Sequence, residues 1–486
     1  MIVSSKKFFA TIGMIVIIAV QYAFVSYAQA SSEITLVDRS LVMIAIVCFV
    51  SFILELLIWR WMTGELFSPY FVFFLVLFIF SCGQSIGWAT GLDIGDKDLW
   101  NRIDHGLNHS LLTTGLSYSM LAISFFHIGA IFAAKNLPNF HNPTKWDTNT
   151  VLTAFESIGR VMLVICIPAF IAKTAQDVFA VASGGYSSYY LVNSSRSALM
   201  SLVSILSDYY QPCMLILLIS NRENARRRHI IVGAMMIDVV FSLYIGGRSG
   251  AVMTLLGILL AYHYFIRPFK LKETIVGAVG GYIGIAFLNG LATIRGTAGR
   301  GISDFISVIG TSFGNVIGSF IGELGWTLTS ICWTMELTSL GQYPLRYGMS
   351  YIASVVAWVP SVVFGGSSNH PAVIWANLSD WLQQSLHMSY GPGYTMVAES
   401  YLNFAWFGVI AMTIEGFCIA KLIAKVRRDN ANEDILGATI QVMIIMTVMK
   451  SLVRSSLSVA IRSAVFTLIP MYLLIRITLN KVGGIR

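Results

Sequence analysis

Charge is the scarcest commodity in this chain: Asp, Glu, Lys and Arg make up 12% of its 486 residues, against about 25% in an ordinary soluble domain. A chain so poor in charge cannot cover its apolar surface in water, which excludes a soluble globular enzyme. Cysteine is scarce as well. Cys48, Cys82, Cys166, Cys213, Cys332 and Cys418 lie far apart with no Cys-x-x-Cys pair, so neither a zinc knuckle nor a disulfide framework is supported; they read as small apolar fillers of a helix bundle. No Gly-rich loop ends in Lys-Ser/Thr, and there is no Gly-x-Ser-x-Gly, which disfavours a nucleotide-driven enzyme or ATPase. No internal repeat with matched Gly/Pro-broken helices is visible, an argument against an inverted-repeat transporter. The apolar stretches are continuous rather than alternating, so a transmembrane barrel is excluded too.

What is abundant is apolar sequence, at 56% hydrophobic residues and a mean hydropathy of +0.72. Apolar runs fall at 8–29, 41–59, 67–89, 111–134, 150–172, 198–220, 230–246, 250–266, 274–292, 401–420, 436–449 and 456–477. Each is close to the span of about 20 residues that crosses a bilayer. The expectation is an all-α polytopic membrane protein of about twelve helices. It becomes fourteen if 317–335 and 349–365 both span, since the parity of the flanking helices must close. Three regions follow: an N-terminal transmembrane bundle over 1–292, one large extracytoplasmic loop over 293–400, and C-terminal transmembrane helices over 401–486. Lys6, Lys7, the following apolar run and Tyr27-Ala-Gln-Ala30 imitate a signal peptide, but the run exceeds the usual core of about 7–15 residues, so it reads as a retained first helix.

The net charge of +8 is explained by orientation. Most Lys and Arg cluster at the N-terminus and in the connections that begin at Arg60, Lys135, Asn221, Arg267, Lys421 and Asn480. That bias places both termini in the cytoplasm and suits contact with anionic lipid, with no need of nucleic acid.

Against this bias, a few arginines sit outside, where a shared anion would account for them. Arg248 stands in Gly246-Gly247-Arg248-Ser249-Gly250 between two apolar runs; a guanidinium binds phosphate oxygens in bidentate fashion, and amides at the start of the next helix add to an anion site. Arg295 and Arg300 follow another outward run, and Arg196 precedes an inward one. The 293–400 region holds Trp326, Trp333, Trp358, Trp375 and Trp381 with Tyr343, Tyr347, Tyr351, Tyr390 and Tyr394. Such aromatics serve as an interfacial belt or as flat faces for sugar rings. Glu323 and Glu399 are isolated acids among small and apolar residues, a setting that raises a carboxyl toward general-base range; either would equally serve as an arginine's partner. His370 and His387 are conceivable bases. Asp238 lies mid-helix as an interhelical partner or a carrier's proton site. His105 and His109 have metal-pair spacing without a third ligand, so no metal is expected.

Taken together, several local features resemble the O-antigen polysaccharide polymerases of bacteria, the Wzy type. They are Gly184-Gly-Tyr186, Gly246-Gly-Arg-Ser-Gly250, Ile294-Arg-Gly296, Glu323-Leu-Gly325, Tyr347-Gly-Met-Ser-Tyr351 running to Val359-Pro360, and Gly393-Tyr-Thr-Met-Val-Ala-Glu-Ser-Tyr-Leu-Asn-Phe404. They cover 184–408 in family order. Ser361 stands where the family often has a basic residue after the proline, so no role carries over there. The resemblance implies a metal-independent, cofactor-free glycosyltransferase with a GT-C-like fold in the bacterial inner membrane. Its donor and acceptor would be undecaprenyl-pyrophosphate-linked glycans, its partners a chain-length regulator and a flippase. Glu399, Glu323 or His370 would supply the base; Arg248, Arg295, Arg300, Arg196 and Tyr394 would hold the substrate. An O-antigen ligase, or a flippase or transporter of lipid-linked oligosaccharide, remains the alternative.

Overall fold

A computed structural model describes residues 2–30, 34–65, 67–95, 98–101, 107–134, 146–194, 197–269, 316–359, 370–388 and 391–483. Every regular element among them is helical. Nine helices are long and apolar enough to cross a membrane: Ser5–Ala30, Arg39–Thr63, His109–Ala133, Thr148–Ser183, Leu199–Ser220, Ala225–Ile245, Met396–Asn430, Ile435–Leu452 and Leu457–Val482. Each coincides with an expected run. Of the other three, 67–89 is a pair bent by 74° that would make a tenth span, 250–266 is a shorter apolar helix, and 274–292 lies outside the described residues. The expected twelve therefore become nine or ten among the described residues. Five of the six cysteines are buried and Cys418 is exposed.

The first five helices are α1 (Ile2–Ala30), α2 (Ile34–Thr63), α3 (Pro69–Cys82), α4 (Gln84–Thr90) and α5 (His109–Ala133). The bend between α3 and α4 has a local cause. Gly83 still closes the turn of α3 onto Ile79, and α11 (Val316–Gly325) presses its Gly325 onto Gly83 at the same place. Buried Gln84 ties the break to two other segments, its Nε2 donating to the Gly322 carbonyl at 3.0 Å and its Oε1 accepting from Leu99 N at 2.9 Å, while Thr327 Oγ1 donates to the Phe80 carbonyl at the end of α3. A broken helix at membrane depth survives only when protein takes over its hydrogen bonds.

The chain continues through α6 (Thr148–Ser194), α7 (Ala198–Ser207), α8 (Tyr210–Ser220), α9 (Ala225–Ile245) and α10 (Arg248–Ala261). After α11 come the short helices α12 (Leu328–Ser339), α13 (Met349–Val356), α14 (Pro371–Ala376) and α15 (Leu378–Ser385). Neither 317–335 nor the described part of 349–365 forms a membrane-length helix: the first divides at Trp326-Thr327 and the second stops at Val356. The last elements are α16 (Met396–Phe404), α17 (Gly408–Ile423), α18 (Ile435–Ile444), α19 (Leu457–Ser463) and α20 (Ile469–Gly483). Helices α5 and α17 cross so closely that a Cβ on Gly129 or Gly416 would collide with the backbone oxygen of Thr413 or Phe126. In lipid such close backbone approach replaces the hydrophobic effect as the source of helix association.

Side-chain contacts sort the connections onto two ends. At one end, Glu65 accepts from Arg428 N at 2.9 Å, Lys7 donates to Phe132 O at 2.7 Å, and Arg222 donates to Asn432 at 3.0 Å. All of these belong to the basic connections. At the other end, Ser350, Ala376, Gly393, Arg454 and Leu457 come together.

Candidate functional site

The site is organised by the first turn of α16. Thr395 caps this helix, accepting from Ala398 N at 3.1 Å, after a left-handed Gly393 turns the chain. Glu399 is thereby buried completely. Its Oε1 accepts from Ser350 Oγ at 2.8 Å, and its Oε2 accepts from the backbone N of Leu457, also at 2.8 Å. The carboxylate thus holds the start of α13 and the first turn of α19, where the positive end of the helix dipole favours it. One turn later Asn403 repeats the pattern. Its Nδ2 donates to Ser350 Oγ at 2.7 Å and to Glu399 O at 2.8 Å, while its Oδ1 accepts from Gly348 N at 2.9 Å. Arg346 N and Tyr347 N donate to the carbonyls of Leu402 and Asn403. Two motifs quoted from the sequence, 347–351 and 393–404, are therefore one structural unit.

Arg346 stands at the head of this unit, half-buried. Its Nη1 donates to the Trp375 carbonyl, and the guanidinium lies 5.5 Å from the Trp375 ring and 5.2 Å from that of Trp381. Among the described residues no carboxylate comes within 4.0 Å of it. Burial pulls its pKa below the usual arginine value, while the fields of Tyr394 and Glu399 act the other way. A partly desolvated guanidinium without a paired anion is poised to take one. Arg454 brings a second cation: its side chain lies against Gly393, and its carbonyl accepts from Tyr394 N at 3.3 Å.

Tyr394 is fully buried, with its hydroxyl 2.9 Å from Thr334 Oγ1 and its ring edge-on to Trp381. Burial pushes its hydroxyl pKa up. Its ring thus packs on one of the two tryptophans beside Arg346. Trp333 is buried as well, whereas Trp358, Trp375 and Tyr347 remain exposed. His370 is buried and caps α14: Nδ1 accepts from Ala372 N at 3.2 Å, which leaves Nε2 to donate to Val359 O at 3.0 Å. Both ring nitrogens are thus in use. Glu323 is half-buried on α11, which packs chiefly against α3 and α4 rather than α16.

Arg248 opens α10, and that helix packs against residues 450–452, a few positions before Leu457. Its side chain lies outside what is described. So do Arg196, Arg295, Arg300 and His105. Asp238 is buried as an interhelical partner: Gln211 Nε2 donates to it at 2.9 Å and to Thr254 at 2.7 Å. Beside it, Lys173 pairs with Asp208 at 3.2 Å. His109 points its Nε2 at Trp100 O, and no metal-ligating cluster occurs among the described residues.

Sequence reasoning missed Arg346 and Arg454, although the signal that flagged Arg248, a basic residue in an outside connection, applied to both. Ser350 and Asn403 carried no chemical signal of their own.

A bundle of apolar helices, nine of them long enough to cross a bilayer among the described residues, defines a multi-pass membrane protein. The family model for O-antigen polysaccharide polymerase Wzy matches residues 8–482, nearly the whole chain, and the chain belongs to that family. No curated protein and no solved structure matches it. Membership assigns an O-antigen polymerase role, a polymerising glycosyl transfer on lipid-linked oligosaccharides in a membrane.

Proposed function

We propose that the chain joins repeat units carried on undecaprenyl pyrophosphate at the outer face of the bacterial inner membrane, with both termini cytoplasmic, and that its architecture is of the GT-C kind. The observation that carries this reading is Arg346, an unpaired guanidinium caged by two tryptophans at the end of the bundle opposite the basic connections. In the transfer, the bond from the donor's terminal sugar C1 to pyrophosphate breaks and its electron pair leaves with the pyrophosphate. Preplaced cations stabilise that growing charge; Arg346 and Arg454 take this role, with Arg248, Arg196, Arg295 and Arg300 proposed alongside them. The acceptor hydroxyl forms the new bond to C1 and loses its proton. Glu399 is proposed to accept it: the Ser350 hydroxyl on Oε1 is replaced in kind by the acceptor hydroxyl, while Oε2 stays tied to Leu457. Catalytic hydrogen bonds of this sort tighten only once substrate is bound. Glu323 is the second choice of base, and His370, with both nitrogens occupied, is set behind it. A chain-length regulator and a flippase are the expected partners.

The glycan ladder of a deletion strain tests the reading. Loss of long chains with one repeat unit retained supports it; loss of every repeat identifies a ligase, and internal accumulation a flippase. For the outer face, Gly341→Cys and Ser367→Cys should both react with an impermeant thiol reagent added from outside, and protection of either would overturn the placement.

A further inference from the structure

Two rows of large apolar side chains face outward beside this site. On α13, Ile352, Val355 and Val356 are 61%, 59% and 47% exposed; on α17, Ile410 and Ile414 are 56% and 61% exposed. The opposite side of α13 carries Ser350 and Ser354, both fully buried, and Ser350 is the residue that holds Glu399. An eight-residue helix, too short to span, with one polar side and one apolar side is suited to a membrane interface. Tyr351 joins the two rows. Its ring stacks on Phe404 with centroids 6.2 Å apart, and its hydroxyl faces Glu415 of α17. The two groups face each other across the seam, so Tyr351 ties α13 to α17. Backbone strain flanks the same seam: Tyr347 (φ 47°) precedes α13 and Ala405 (φ 50°) precedes α17. These are two of the three non-glycine left-handed residues among the described residues, and such strain gathers where parts must move or clamp. Arg346 stands one residue before Tyr347, at the head of the seam.

We infer that the seam between α13 and α17 is the lateral entry and the tail track for a long-chain lipid with an anionic phosphate or pyrophosphate head. The head lies at Arg346, and the chain runs past Ile352, Val355, Ile410 and Ile414 into the bilayer. An ordinary phospholipid would need no caged cation, and a free anion taken up from water would need no apolar track leading away from it. The identity of the lipid as the glycan-bearing substrate rests on the polymerase reading above; the site itself does not.

Benzophenone-bearing residues placed singly at Ile352 and Ile414, with controls at the equally lipid-facing Val164 and Ile237, test the track. Membranes holding each variant are irradiated with radiolabelled polyprenyl pyrophosphate. Labelling at 352 and 414 should exceed the controls about 10-fold, a preference worth about 1.4 kcal/mol, survive excess phosphatidylglycerol, and fall in an Arg346→Ala background. Equal labelling at all four positions, or loss to phosphatidylglycerol, means bulk lipid and overturns the inference. Seam labelling in a chain whose deletion leaves the glycan ladder intact would keep the lipid track and remove the polymerase reading. A shortened ladder with uniform labelling would do the reverse.

Discussion

Glu55 and Glu399 are hidden to the same degree, 1% and 0% exposed, in two regions built on different plans. Glu55 sits inside the N-terminal bundle. Ser124 Oγ of α5 donates to it, and Gln21 of α1 donates to the same hydroxyl at 2.8 Å. Its network joins three long helices side by side and, among the described residues, has no cation in it. Glu399 instead joins the ends of elements, holding Ser350 of α13 and the first turn of α19, with Arg346 close enough for its charge to be felt. Burial of a carboxylate is therefore no mark of a site by itself. What distinguishes the second region is a neighbouring cation with no carboxylate within 4.0 Å among the described residues and a polar network made of helix ends, where backbone groups are free to be recruited.

That contrast can be tested from its strongest point down. Replacing Arg346 with lysine keeps the charge and loses the planar fork. Turnover should fall by about 10²–10³-fold, the usual effect of losing one donor to a developing anion. Wild-type glycan length at equal expression would break the comparison at its centre. Next, Glu399→Gln should lower turnover by about 10²-fold while donor binding and protein level hold, read by single-turnover transfer of a labelled repeat unit. If donor binding falls instead, Glu399 serves only to position Arg346.

Ser350→Ala leaves both Glu399 Oε1 and Asn403 Nδ2 short of a partner, at a cost of about 1–3 kcal/mol. The expected result is about tenfold less long-chain glycan with some loss of protein in the membrane, measured by immunoblot beside the ladder. The smallest effect belongs to the other region. Glu55→Gln can still accept from Ser124, so chain length should be unchanged and turnover should stay within about threefold, under 1 kcal/mol. A loss as large as that of Glu399→Gln would erase the distinction between the two acids.

How much of this was legible beforehand differs element by element. Nine spans match apolar runs because a bilayer enforces continuous hydrophobicity over a fixed length, a constraint that local sequence carries in full. The bend at Gly83 was not legible. It depends on Gln84 meeting Gly322 across 238 residues, and no local pattern encodes such a pairing. In the site, Glu399 stood out as an isolated acid among small and apolar residues. Arg346 did not stand out, because its cage comes from Trp375 and Trp381 on other turns of the chain. Ser350 and Asn403 lay inside motifs quoted from the sequence, yet their contact with each other was invisible in it.

The sequence by itself determined that this chain is a helical membrane protein, which way its basic connections bias it, and which family it resembles, because hydrophobic run length, Lys/Arg placement and motif order are one-dimensional quantities. Tertiary structure alone decided which charges meet. An arginine becomes an anion site when folding removes its water and supplies no carboxylate, and a glutamate becomes an organiser when helix ends converge on it. Both depend on distances between segments far apart in the chain. For the same reason only the folded chain shows that α13 turns serine toward Glu399 and isoleucine outward, beside a helix that begins more than fifty residues later.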